Sequence, residues 1–325
     1  MPPIPQFSRR SFRRLSVTAA AATAVIATGC GISFSGGADA SPRPTSSTSQ
    51  AQSLDGARPD ATHRPHQPIA TKRTTGVPDG YDLKTYSGPC TITHSKTIVG
   101  VDATRCGAIL IDAPDVVIEK SLVPVIDATT DRAHSVTLRR STVRGGHWQG
   151  GAVWGSHIVA HHIEVTGAQH SIQCTGHCRI YGSWLHGQWN PTGQSFHNNA
   201  FISNGGSHMV LKNNRLHCTP LLNSTDGGCT ADVSLFGDFD PISDVVVDHN
   251  LLMANDSSIS YCAYGGYSSS KPYPVADHIV FTHNIFQRGN NRRCGVFGPV
   301  TAFQAKAPGN VWSGNHWDDG TKLHH

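Results

Sequence analysis

The chain has 325 residues, of which 15% are charged, with 33 Gly and 19 Pro. That composition excludes a charged, Gly-poor helical protein, and the length suits one large fold with tails. The formal charge of +4 comes from 26 basic against 22 acidic side chains, and Arg9, Arg10, Arg13 and Arg14 account for the whole excess, so no nucleic-acid partner is expected.

At the N-terminus, Ser8-Arg9-Arg10-Ser11-Phe12 is a twin-arginine export pattern, followed by an Ala-rich, weakly apolar stretch over residues 15–28. Gly29-Cys30, preceded by Ala27-Thr28, resembles the lipobox of bacterial lipoproteins, in which the Cys is diacylated and becomes the mature N-terminus. Ordinary cleavage after Ala38-Asp39-Ala40 is the alternative. Setting Cys30 aside leaves eight of the nine cysteines, an even number suited to an oxidising compartment. The location expected is the outer face of the cytoplasmic membrane or the cell surface, lipid-anchored, with secretion as the alternative. Residues 1–30 are therefore read as the signal segment.

Residues 31–77 are rich in Ser, Thr, Pro and Ala and show no apolar period, so they read as a flexible tether. Residues 78–325 form the folded domain, expected as a monomer. There a short strand ending in a small residue recurs, as in Val116-Val117-Ile118-Glu119-Lys120-Ser121 and Val245-Val246-Val247-Asp248-His249-Asn250. The final residues Ser121, Ser141, Ile163, Ser183, Asn214, Asn250, Asn284 and Asn315 are spaced by 20, 22, 20, 31, 36, 34 and 31. A basal period near 20, lengthened in the later units, is the mark of a solenoid whose loops grow outward. Alternate β-branched positions and the absence of any amphipathic helix-length segment select a right-handed parallel β-helix of about eight coils. The recurring Asn fits a left-handed corner whose amide bonds to its equivalent one coil away.

Residues 78–317 resemble the right-handed parallel β-helix proteins of the pectate-lyase-like superfamily, and in particular secreted bacterial β-helix repeat proteins. The stretches carrying the closer likeness are Cys229-Thr230-Ala231-Asp232-Val233-Ser234-Leu235-Phe236-Gly237-Asp238-Phe239-Asp240-Pro241-Ile242 and Tyr261-Cys262-Ala263-Tyr264-Gly265-Gly266-Tyr267. The resemblance implies a polysaccharide ligand or substrate, often acidic; fold alone does not transmit activity. Pairing sequence neighbours gives disulfides Cys90 with Cys106, Cys174 with Cys178, Cys218 with Cys229 and Cys262 with Cys294, while Cys174-Thr175-Gly176-His177-Cys178 also admits zinc.

Insertions over residues 188–207, 219–243, 254–277 and 289–309 belong to adjacent coils, so they are expected to stack on one side and wall a groove. They carry Trp189, Tyr261, Tyr264 and Tyr267, whose faces suit sugar rings or simply pack the loops. Asp226, Asp232, Asp238 and Asp240 can either hold Ca2+ through carboxylate oxygens or cap turns. For proton abstraction, His197 is the candidate base, Asn198 a partner for a substrate carboxylate, and His186, Lys212 and Arg215 the neighbouring cations. The corner residues His157, His177, His208 and His278 read as turn positions. The polygalacturonase pattern is not met: His186-Gly187 is present, but the adjacent acidic pair Asp318-Asp319 follows it and no Arg-x-Lys comes after. Elimination is thus the favoured enzyme chemistry, with a non-catalytic glycan-binding or structural envelope module as the alternative.

Overall fold

The computed structural model describes residues 69–325 except Thr130, Arg132 and 256–258; the export segment, Cys30 and most of the tether lie outside the described residues. The alternation read from the sequence becomes burial. In Val116–Glu119, Val116 and Ile118 point inward and are fully buried, while Val117 and Glu119 face out. Successive units pair in parallel and in register, Val116 with Val136 and Val136 with Ile158.

The chain visits three sheets in strict rotation. Thr142–Arg144 lies in the first sheet, Gly151–Gly155 in the second and Ile158–His161 in the third, and Glu164–Thr166 returns to the first. The sheets hold ten, nine and nine strands, all parallel, which makes a right-handed parallel β-helix. It has nine turns rather than eight, because Thr97–Val99 adds a coil in which Val101 stands where most later coils have Ser or Asn. Nine coils at the ~4.8 Å strand spacing make a rod roughly 40 Å long. Inward residues form columns along it, such as Ile109, Ile126, Val153, Ile172, Phe201 and Val233 on the second sheet. Each such side chain, fully buried, contributes about 1.5–3 kcal/mol of transfer free energy.

A polar ladder lies under the corner between the third and first sheets. The Asn214 N–H and Nδ2 both donate to Asn250 Oδ1, at 2.9 and 3.0 Å. Asn250 donates likewise to Asn284, and Asn284 to Asn315. Earlier coils use shorter side chains, Ser121 N–H donating to Ser141 Oγ and Ser183 N–H to Asn214 Oδ1. The left-handed residue is the one before the ladder residue, not the ladder residue itself: φ is +58° at Asn213 and +55° at His249 and His283. The corner turns at that residue, and the Asn that follows is fully buried.

Four disulfides join Cys90 to Cys106, Cys174 to Cys178, Cys218 to Cys229 and Cys262 to Cys294. The second leaves no thiolate pair for zinc. Cys262–Cys294 spans 32 residues, so replacing both with Ser is expected to cost about 3–4 kcal/mol in the chain-entropy model. The measurement is a lowered urea midpoint; an unchanged midpoint refutes it.

Two boundaries differ from the sequence reading. Residues 69–77, placed with the tether, lie against the rod: Ala70 N–H donates to the Asn213 carbonyl and Gly76 N–H to that of His162, and Ala70 and Thr75 are buried. The insertions do not share one side. Each expected range spans a strand of the second sheet, so loops 188–196, 217–227, 253–255 with 259–260, and 287–297 stack along one edge of that sheet, and 236–241, 266–275 and 302–310 along the other. Among the described residues no helix is long and apolar enough to cross a membrane.

Candidate functional site

The first of these loop stacks holds an open cavity of about 240 Å3 lined by His197, Leu222, Asp226, Ser260, Val296 and Phe297. Its floor climbs the rod one coil at a time. Gly228 N–H donates to the Phe196 carbonyl, Ser260 N–H to that of Cys229, and Phe297 N–H to that of Ser260. Four consecutive coils therefore contribute, over roughly 14 Å. Two asparagines stiffen the wall. Asn190 Nδ2 donates to the Leu221 and Gly227 carbonyls, and Asn223 Nδ2 to those of Pro191 and Gln194.

His197 begins the strand His197–Ser203 and is exposed. Behind it lies a buried polar network: the Ser234 hydroxyl donates to Asn199 Oδ1, and Asn199 Nδ2 donates to His170 Nδ1 and the His197 carbonyl. Accepting at Nδ1 makes His170 the neutral Nε2–H tautomer. Burial, with the charge of His197 adding, lowers its pKa to about 3. Asp226 stands at a left-handed position, φ +62°, on the facing loop.

An aromatic chain leads away from the cavity across the second sheet. Phe297, which is 67% exposed, lies 5.8 Å from Tyr261; Tyr261 meets Tyr264 edge-on at 5.4 Å, and Tyr264 meets Phe236 at 5.3 Å. Burial, with Tyr261 adding, raises the Tyr264 hydroxyl pKa. Trp189 belongs to the wall, stacked on His147 at 4.7 Å and edge-on to Phe196. Tyr267 stands apart, its N–H donating to the Ala302 carbonyl.

The remaining expected site residues separate. Asn198 is buried, its amide donating to the Gln169 and Trp189 carbonyls, so it braces the wall rather than meeting a ligand. His186 is on the first sheet, stacked on Trp184 at 3.8 Å and paired with Glu164 at 3.1 Å; that hydrogen bond holds Glu164 below the usual carboxylate range. Arg215 covers the same Trp184, at 5.3 Å. Lys212 is at the end of the third sheet, 2.8 Å from Asp248. The four aspartates do not converge. Asp232 is fully buried and accepts the Cys218 N–H, with burial raising its pKa well above the ordinary value. Asp238 pairs with Lys271 at 2.6 Å. Asp240 lines a polar cavity of about 330 Å3 at the opposite edge, with His157, His177, Ser207 and Ser243.

Sequence reading missed Phe297, Leu222, Asn190, Asn223 and His170. Phe297 follows Cys294 closely inside an insertion, so its aromatic ring is a signal the sequence carries beside those of Trp and Tyr. The architecture is thus a disulfide-braced parallel β-helix with a loop-walled cleft on one edge. A scan against protein-family models finds no match, and searches of curated proteins and of solved structures return none.

Proposed function

We propose that this chain is an exported β-helix protein of the pectate-lyase-like kind that binds a polysaccharide in the cleft running from His197 to Phe297. The observation that carries the reading is the cleft itself: four consecutive coils bring an exposed aromatic face, an imidazole, a carboxylate and a hydroxyl to the same cavity. Extended sugars present alternating apolar faces and hydroxyls, which such a strip matches. Four disulfides support an oxidising compartment, and the twin-arginine pattern and Cys30 support export followed by lipid anchoring.

A second reading, β-elimination on a uronate polymer, is favoured by His197 alone, an exposed imidazole facing the same cavity as Asp226. Calcium bridging is not part of the proposal, because Asp226, Asp232, Asp238 and Asp240 serve four separate places. The test is binding to a panel of uronate and neutral polymers, with ultraviolet absorbance followed for unsaturated product. Phe297→Ala is expected to weaken binding about tenfold, the worth of one aromatic contact. His197→Ala is expected to abolish any product formed while leaving most of the binding. Unchanged affinity in Phe297→Ala removes the cleft assignment; binding without product leaves the non-catalytic module.

A further inference from the structure

Away from the cleft, the corner between the third and first sheets carries a cluster of different chemistry. Asp248 ends the strand Ile242–Asp248, and His249 follows it at the corner. His283 occupies the same corner one coil on, both histidines having φ +55°. Shared backbone conformation in stacked coils projects the two imidazoles in the same direction, and the rings lie 4.7 Å apart. Asp248 Oδ1 is 2.8 Å from His249 Nδ1 and 3.2 Å from His283 Nδ1.

We propose that Asp248, His249 and His283 bind one divalent transition-metal ion of the zinc type, through Asp248 Oδ1 and the Nδ1 atoms of both histidines. The three donor atoms already lie within 4.8 Å of one another. Two imidazole nitrogens and one carboxylate oxygen are the donor set zinc takes in sites that keep a fourth position open, whereas calcium requires six or more oxygens. The carboxylate is held from behind. Lys212 Nζ lies 2.8 Å from Asp248 Oδ2, and the Thr282 hydroxyl donates to Oδ1 at 2.8 Å. Such outer contacts fix the orientation of a ligand and leave the Oδ1 edge towards the histidines.

Accessibility and adjustment also suit an ion. The side chain of His283 is 55% exposed against 12% for Asp248, so the site opens to solvent on one side only. The rings are inclined by only 25°, and His283 must turn about its Cβ–Cγ bond to direct Nδ1 to a common point. Its exposure permits that rotation. In the metal-bound form both rings carry their proton on Nε2. The left-handed column at this corner reads Gly100, Lys120, Arg140, His162, Gly182, Asn213, His249, His283 and Gly314, so within this column two histidines follow one another only here, and Asp248 stands beside them.

The test is titration of the purified full-length chain with Zn2+ by calorimetry, and with Co2+ by visible absorption. One ion per chain is expected at the site, with the intense Co2+ bands of a four-coordinate N/O environment. His283→Ala and Asp248→Asn should each weaken binding about tenfold or more, and His324→Ala, at the other exposed histidine-rich end, should leave it unchanged. Because His283 is exposed, its variant is expected to keep the thermal transition of the parent, which separates loss of a ligand from loss of the fold. No saturable Zn2+ binding, or equal stoichiometry and affinity in His283→Ala, overturns the proposal.

Discussion

Replacing Asn250 with Ala is expected to lower the unfolding free energy by about 4 kcal/mol, far more than its small volume implies. Its side chain is fully buried and is the hub of the ladder. Oδ1 accepts from the N–H and Nδ2 of Asn214, and Nδ2 donates to the Leu211 carbonyl at 2.9 Å and to Asn284 Oδ1 at 3.0 Å. Truncation strands two donors and a carbonyl where water cannot enter, and each buried unpaired group costs about 1–3 kcal/mol. Relaxation keeps the total near the lower end of that sum. Ser121→Ala is the control. There the ladder has thinned to hydroxyls, with Val101 N–H on Ser121 Oγ at 3.2 Å, and about 1 kcal/mol is expected. Because each coil rests on its neighbours, amide exchange in the Asn250 variant should quicken in the coils on both sides of the break. Equal urea midpoints for the two variants would show that the ladder is not a principal source of stability.

The course of the rod was legible in the sequence because its signals are local. Val245 and Val247, or Ile279 and Phe281, alternate with polar residues on one strand, and a small polar residue closes each unit. The opening coil is less legible because Thr97–Val99 is short and Val101, at the ladder position, offers only its N–H, to Ser121 Oγ. The left-handed position was misplaced by one residue for a related reason. Asn tolerates both roles, and only the hydrogen-bond pattern distinguishes the turning residue from the ladder residue.

The candidate site was far less legible. Asp226, Asp232, Asp238 and Asp240 are close in sequence, but they straddle Gly228–Leu235, a strand of 8 residues that extends roughly 25 Å. Proximity along the chain therefore places Asp226 on one edge of the second sheet and Asp238 and Asp240 on the other. The same geometry divided the insertions into two stacks, since counting from corner to corner does not reveal on which side of the intervening strand the extra residues fall. His186, Lys212 and Arg215 separated from His197 because a coil has three faces, and residues a few positions apart emerge in different directions. The cluster at Asp248 was hidden in the opposite way: His249 and His283 are far apart in sequence, and only the register of Asp248 with Thr282 brings them together.

On acidification from pH 7.5 to 4.5, His170 alone is expected to cost the domain about 2–3 kcal/mol of stability. The imidazole is buried, accepts from Asn199 Nδ2 at 3.2 Å and faces the charge of His197, so its pKa falls from 6.5 to about 3. Below pH 6.5 the unfolded chain takes up a proton that the folded chain refuses. The unfolded state then binds more protons, and unfolding free energy falls by up to about 1.4 kcal/mol per pH unit until pH approaches 3. His217, lowered to about 4 chiefly by burial and further by Arg215, acts in the same direction. Carboxylates held low, such as Glu164, lose their contribution only as pH falls below their ordinary value of 4.5, whereas the raised Asp232 carboxyl opposes the histidines by taking its proton first in the folded chain, so the difference between the parent and a His170 variant, in which Asp232 cancels, is what isolates the buried imidazole. His170→Gln retains an acceptor for Asn199 but does not titrate, and its stability at pH 4.5 relative to pH 7.5 should improve by about 2–3 kcal/mol over the parent. Urea unfolding at pH 7.5, 5.5 and 4.5 measures this directly. Parallel pH profiles for the parent and His170→Gln would mean that the buried imidazole is not a source of the acid sensitivity, and His170→Asn, with a shorter acceptor, checks that the result does not depend on how the replacement packs.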